Sequence, residues 1–474
     1  MRISVIIATS LLLAGSVCGR FHNPYPKIRT HTPGSDEDTG EPLFLTPLIE
    51  SGDIELAQNL SFVSHRKLDW LQSYAGYITV NKKYNSNMFF WFFRAKINSA
   101  AAPVVLWLQG GPGASSLFGM FAENGPFSIT EDLDYPPRQY SWHINHNLIY
   151  IDNPVGTGFS FTDNDMGYSG TETAIGENLQ NVLQQFFKLF PELRKNPFYI
   201  TGESYAGKYI PAAAFQIHQK NQEVLAEEEV INLRGMAIGN GFTDPLHQLN
   251  YGDYLYQIGL IDANARDLFG KYQRKAESLI ENGDYTAAFV LLDRLIDGDG
   301  DAKSIFQNLT GLEQYYNYLS TQTDDGSAAM GKLIENAEMR KAIHVGNKTF
   351  HGLDVNKVEI FLVSDIMKSV SGLVGDLLTY YPIVVYNGQL DIIVAYPLTT
   401  NYLQNLEFRD REEYLRAKRH IWRVDGDIAG YVKEAGNLIE ILVRDAGHMV
   451  PLDQPKWALD LLLHLTHGKS FTNL

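Results

Sequence analysis

The sequence predicts an α/β architecture, a mostly parallel central sheet covered by helices on both faces. Short runs rich in β-branched and aromatic residues recur along the chain. Longer segments with helical patterning, such as 171–190, separate them. Several of the runs are apolar throughout, as strands buried on both faces must be.

In chain order, Met1 and Arg2 precede an apolar run over 3–17, and Val17 and Gly19 supply small residues before a cut. This pattern predicts a secretory signal peptide over 1–19, and the rest of the chain, 20–474, reads as a single α/β domain. The run falls short of the roughly 20 apolar residues a spanning helix needs, so stable membrane insertion is not expected. Cys18, the one cysteine of the chain, lies in the segment that cleavage would remove. A polar, Pro- and Gly-containing entry segment follows over 21–40. Strands are expected at 76–80, 88–94, 104–108, 148–151, 198–201, 236–238, 383–386 and 438–443. From about 244 to 380 the alternation fails: helical patterns at 263–280, 285–296 and 330–343 are broken by polar runs at 297–301 and 321–327. This stretch reads as a largely helical insertion before the strand at 383.

With 474 residues, 45% of them hydrophobic and 20% charged, the chain can bury a large core. A net charge of −16 repels phosphate backbones, and no nucleic-acid partner is expected. Asn59, Asn308 and Asn347 head Asn-x-Ser/Thr sequons and are candidate glycosylation sites.

The chemistry is carried by three segments that follow strands. In 198–207, Ser204 stands between a short apolar strand and a helix-compatible stretch, flanked by Gly202, Ala206 and Gly207. A strand turning sharply into a helix leaves room only for small residues there, which makes Ser204 a candidate nucleophile. A serine hydroxyl needs an imidazole to take its proton and a carboxylate to orient that imidazole. Asp391 follows the strand at 383 and His448 follows the strand at 438. Ser, Asp, His is the chain order of an α/β hydrolase. The glycines of 107–117 would let backbone N–H groups approach a developing oxyanion, with Gly111 and Tyr205 as candidate donors. Ser115 and Ser116 have no such elbow and read as structural.

Taken together, the segments 107–113, 123–126, 152–160, 202–207, 387–391 and 447–451 resemble those of the serine carboxypeptidases, and they are most similar to the vitellogenic-carboxypeptidase-like branch. That resemblance implies an α/β-hydrolase fold and release of single C-terminal residues from peptide or protein substrates. It also implies Gln109, Gly110, Glu123 and Glu203 as partners of the substrate carboxylate. Gln109 stands where many members have Asn, and Ala114 where many have a disulfide-bonded cysteine. Crowded Glu123 and Glu203 would share a proton and donate it to a carboxylate, which predicts an acidic pH optimum. An esterase or acyltransferase on the same triad, and a yolk or storage protein without activity, are the competing readings.

Neither a cofactor nor a metal is expected. The run 297–301 lacks the glycine and final glutamate of a calcium loop and reads as an acidic surface turn. His143 with His146, and His464 with His467, lack further ligands. Oligomeric state is not legible.

Overall fold

A computed structural model describes residues 37–224, 226, 229–298, 303–321, 327–352 and 357–471. The signal-peptide expectation and Cys18 lie outside the described residues. Ten strands are described: β1 (Ser73–Asn81), β2 (Ser86–Phe93), β3 (Val104–Leu108), β4 (Asn147–Ile151), β5 (Phe198–Glu203), β6 (Leu233–Gly239), β7 (Ile383–Gly388), β8 (His420–Val424), β9 (Asp427–Ala435) and β10 (Leu438–Val443). They form one sheet in the order β1-β2-β4-β3-β5-β6-β7-β10-β9-β8.

The six central strands, β4 to β10 in that order, pair in parallel, with Leu106 opposite Ile200 and Val385 opposite Glu440. Every residue of β2, β3, β4, β5 and β7 is buried, so both faces of this region are covered. The helices Glu172–Leu189 and Ala206–Glu223 pack against each other on one face. The second runs through Pro211 without a break. Because the central strands are parallel, β5, β7 and β10 all end at one edge of the sheet. Ser204, Asp391 and His448 therefore leave from the same edge, where α/β folds place their sites.

The sheet is less uniformly parallel than expected. Its flanks are antiparallel, β1 and β2 on one side, β8 and β9 on the other. The hairpin β8–β9 was not foreseen: β8 is half exposed and carries charge, so it lacks the apolar run of a central strand. Its signal is the turn Asp425-Gly426, where both residues adopt positive φ (51° and 89°), as tight hairpins require.

Helices fill the chain between β6 and β7. The pattern at 285–296 becomes the helix Tyr285–Leu292 followed by a wider π turn, Asp293–Asp297. The pattern at 330–343 divides into Ser327–Glu335 and Ala337–Ala342, because Asn336 accepts the Met339 N–H at 2.9 Å and starts a new helix. Asp297 departs from its expected surface turn: its carboxyl accepts the Tyr315 hydroxyl. The rest of that run, 299–301, lies outside the described residues.

Candidate active site

β5 ends at Glu203, and the chain reverses through Ser204 into the helix starting at Ala206. Ser204 has φ 62°, a left-handed conformation that a non-glycine residue holds only when its surroundings impose it. Three backbone hydrogen bonds do so: Ser204 N–H donates to Gly239 O at 2.9 Å, and its carbonyl accepts from Gly207 N–H at 2.9 Å and Phe242 N–H at 3.0 Å. The small residues around it are required by contact. A Cβ on Gly202 would stand 2.2 Å from Leu108 O, and one on Gly110 would stand 2.5 Å from Tyr205 N and 2.6 Å from Ser204 Cβ. The glycine loop after β3 is thus pressed against the elbow, backbone to backbone.

Asp391 and His448, separated by 57 residues, meet: His448 Nδ1 lies 2.9 Å from Asp391 Oδ2, and both side chains are fully buried. The same Oδ2 accepts from Asn240 Nδ2 at 2.6 Å and from Val394 N–H at 3.3 Å. With Nδ1 committed to the carboxylate, Nε2 is the imidazole nitrogen left for proton exchange. His448 is held from the helical region: its N–H donates to Tyr316 O at 2.7 Å, and the two rings stand 5.8 Å apart. That stretch also grips the Asp391 loop, since Ile392 N–H and Ile393 N–H donate to Tyr315 O and Tyr318 N–H donates to Leu390 O.

Gln109, Glu123 and Glu203 form a second buried constellation. Gln109 Nε2 donates to Glu203 Oε1 at 2.7 Å and to Glu123 Oε1 at 3.1 Å. The amide is oriented for this by Trp107 Nε1, which donates to Gln109 Oε1 at 2.8 Å. Glu123 sits in a π turn, Gly119–Asn124, not in a solvated loop. Arg138 clamps that turn through the carbonyls of Phe121, Ala122, Gly125 and Phe127. Burial pushes the Glu123 carboxyl up to about 7, against the pull of hydrogen bonds to Glu203 and Gln109 and the fields of His448 and Arg138. The site thus joins a carboxylate-oriented imidazole at the serine elbow's edge of the sheet to a carboxyl pair that can hold a proton near neutrality.

The remaining candidates are structural or exposed. Ser115 caps the turn Ser116–Phe118 and donates to Asp152 Oδ1 at 2.5 Å, while Ser116 Oγ donates to Ile151 O at 2.6 Å. Asn59, Asn308 and Asn347 are exposed. Among the described residues no group of three or more His, Cys, Asp or Glu could hold a metal, and no helix is long and apolar enough to cross a membrane. Sequence reasoning missed Asn240, Tyr254, whose hydroxyl donates to Asp391 O at 2.7 Å, and Tyr316. The run Gly239-Asn-Gly-Phe-Thr-Asp244 after a strand was the one available signal for Asn240.

A ten-stranded mixed sheet with these residues at its strand ends defines an α/β hydrolase. The match to solved structures agrees: Kex1(delta)p, a prohormone-processing carboxypeptidase from Saccharomyces cerevisiae, superposes with a TM-score of 0.72 at 24% identity, over 87% of this chain and 96% of that one. Residues 65–468 match the family model for serine carboxypeptidase, and the chain belongs to that family. It is 53% identical to the venom serine carboxypeptidase of Apis mellifera, covering 95% of this chain and 96% of the relative. It is 51% identical to the vitellogenic carboxypeptidase of Aedes aegypti, covering 94% of each. The protein is a serine-type carboxypeptidase, and its substrates are peptides.

Proposed function

We propose that the enzyme releases single C-terminal residues through an acyl-enzyme on Ser204, at mildly acidic pH, after export from the cell. His448 takes the Ser204 proton as Oγ attacks the scissile carbonyl, and Asp391 stabilises the imidazolium. The N–H groups of Gly111 and Tyr205 receive the oxyanion. His448 then passes its proton to the leaving amine, and water repeats the sequence to free the acyl group. Gln109, the Gly110 backbone, Glu123 and Glu203 hold the substrate carboxylate.

The observation that carries this reading is the Gln109–Glu123–Glu203 cluster. Two ionised glutamates would repel a terminal carboxylate, whereas a protonated one donates to it. The sign follows from the upward shift of Glu123: the donor is present below about pH 7 and lost above it. KM for a free-carboxylate peptide should therefore be flat in mild acid and rise by up to about tenfold per pH unit above neutrality. Ester substrates lacking that carboxylate should keep their KM, and the Glu123→Gln/Glu203→Gln double variant should lose the rise. Steady-state kinetics on matched substrates decides this; a constant KM for the free-carboxylate peptide, or equal cleavage of amidated and free peptides at every pH, overturns the assignment.

Export rests on the apolar leader and the exposure of all three sequon asparagines. Protein recovered from a eukaryotic medium should begin near Arg20, contain no thiol and lose mass on N-glycan removal. Intact-mass spectrometry showing Met1 and unmodified Asn59, Asn308 and Asn347 would reject it.

A further inference from the structure

The chain carries 55 acidic against 39 basic residues, yet one edge of the sheet reverses that balance. From 414 to 424 there is no acid, and Arg416, Lys418, Arg419, His420 and Arg423 fall within eight residues. Three consecutive basic positions followed by a fourth three residues on make the dense local pattern by which polyanions are bound. All five side chains are exposed. They lead into and along β8, the last strand of the sheet, whose outer edge pairs with no further strand among the described residues.

Charge on an edge strand is an ordinary defence against edge-to-edge pairing, and one or two cations suffice for it. Here there are more, and they are presented to solvent. Arg416 pairs with Glu412 at 2.8 Å, an exposed contact of little strength. Among the described residues no ion pair engages Lys418, Arg419 or Arg423, while Lys82, Lys341, Lys357 and Lys456 each hold a carboxylate. Arg419 lies over the rings of Tyr431 and Tyr396, 4.3 and 5.5 Å from their centroids, a stacking that leaves its in-plane N–H groups to donate. On neighbouring β9, Lys433 lies over the Tyr414 ring at 3.8 Å. A groove beside the strand is lined by Arg416, Lys418 and His420, with Glu413 and Glu434 also on its wall. Glu434 accepts the Phe471 N–H at 3.4 Å.

We propose that the β8 edge binds a sulfated polysaccharide, with Lys418, Arg419 and Arg423 as its principal contacts and Arg416 and His420 beside them. The stretch from Lys418 to Arg423 spans about 17 Å of extended chain, long enough to meet several sulfates of a linear polymer. Sulfate esters stay ionised in mild acid, so the attraction persists where the enzyme is proposed to work. A thin, flexible anionic chain can follow one edge, whereas a duplex or a bilayer presents a broad surface to the acidic remainder of the molecule. Ser204 leaves the sheet five strands away, about 24 Å at the usual strand spacing. A bound chain therefore tethers the enzyme without closing its site, and this inference is independent of the catalytic reading above.

The test uses the full mature protein with heparin as the probe. The wild type should be retained on immobilised heparin and released by salt, and should pass over hyaluronan, which carries carboxylates but no sulfate. The Lys418→Ala/Arg419→Ala/Arg423→Ala variant should bind heparin about tenfold or more weakly. Its log–log slope of Kd against salt should shrink by about two to three, one counterion for each cation removed. Its kcat/KM on a short peptide should match the parent, and Lys82→Ala/Lys341→Ala, which removes cations elsewhere, should leave heparin binding unchanged. Should the triple variant lose peptidase activity, the single Lys418→Gln and Arg423→Gln variants take its place in the same comparison. No retention of the wild type, equal binding to hyaluronan, or unchanged heparin affinity in the folded variants overturns the proposal. Tighter binding to anionic vesicles or duplex DNA than to heparin overturns it as well.

Discussion

The Ser204→Ala variant should fold like its parent while losing hydrolysis by roughly ten-thousandfold or more. Alanine removes a single oxygen. The backbone bonds that hold the elbow, to Gly239, Gly207 and Phe242, do not involve it. The left-handed conformation costs alanine about what it costs serine. The proposed oxyanion donors and carboxylate partners also remain, so the variant should still bind peptide and show a trace of rate above solution. Turnover measured beside circular dichroism and peptide binding separates loss of the nucleophile from loss of fold. Near-parental turnover would mean that another residue attacks the substrate.

Asp391→Asn should reduce kcat by about ten-thousandfold, the scale seen when the acid of a serine triad becomes an amide. The local geometry explains why so small a change is severe. Oδ2 faces three donors, His448 Nδ1, Asn240 Nδ2 and the Val394 N–H. An amide has one oxygen and one NH2, and either of them can face Nδ1. If the amide donates to Nδ1, the imidazole carries its proton on Nε2 and cannot accept one from Ser204. If it accepts, the imidazolium formed during attack has lost its negative partner. Kinetics on an activated ester, where leaving-group protonation matters little, should show the same defect. Unchanged turnover would point to a different acid.

What could be read in advance divides by the range of the forces involved. The all-apolar strand at 104–108 and the mostly apolar one at 438–443 match β3 and β10 residue for residue, because burial dictates their composition. The elbow was legible for a similar reason: a turn so tight admits only glycine or alanine at its flanks, and those residues are adjacent in sequence. The half-exposed strand β8, the π turn carrying Glu123 and the break at Asn336 depend on tertiary contacts that outweigh local propensity. Asn240 and Tyr316 were harder still. Their importance comes from hydrogen bonds to loops far along the chain; the run after β6 hints at Asn240, and nothing local distinguishes Tyr316. Asp297 was misplaced because an acidic, glycine-rich run looks solvated until Tyr315, 18 residues further on, donates its hydroxyl to the carboxyl.

The strand order has a kinetic consequence. β6 and β7 lie side by side, yet the whole helical region separates them in the chain. Pairing β7 with β6 therefore closes a very long loop, the kind of contact that forms late because its entropy must be met before it is rewarded. Asp391 and His448 both lie beyond that loop, on the far side from Ser204. A newly made chain can complete its elbow early and remain inert. With the proposed triad, cutting power would arrive only when the last four strands dock, leaving a stalled or misfolded molecule harmless to the neighbouring polypeptides among which it is made.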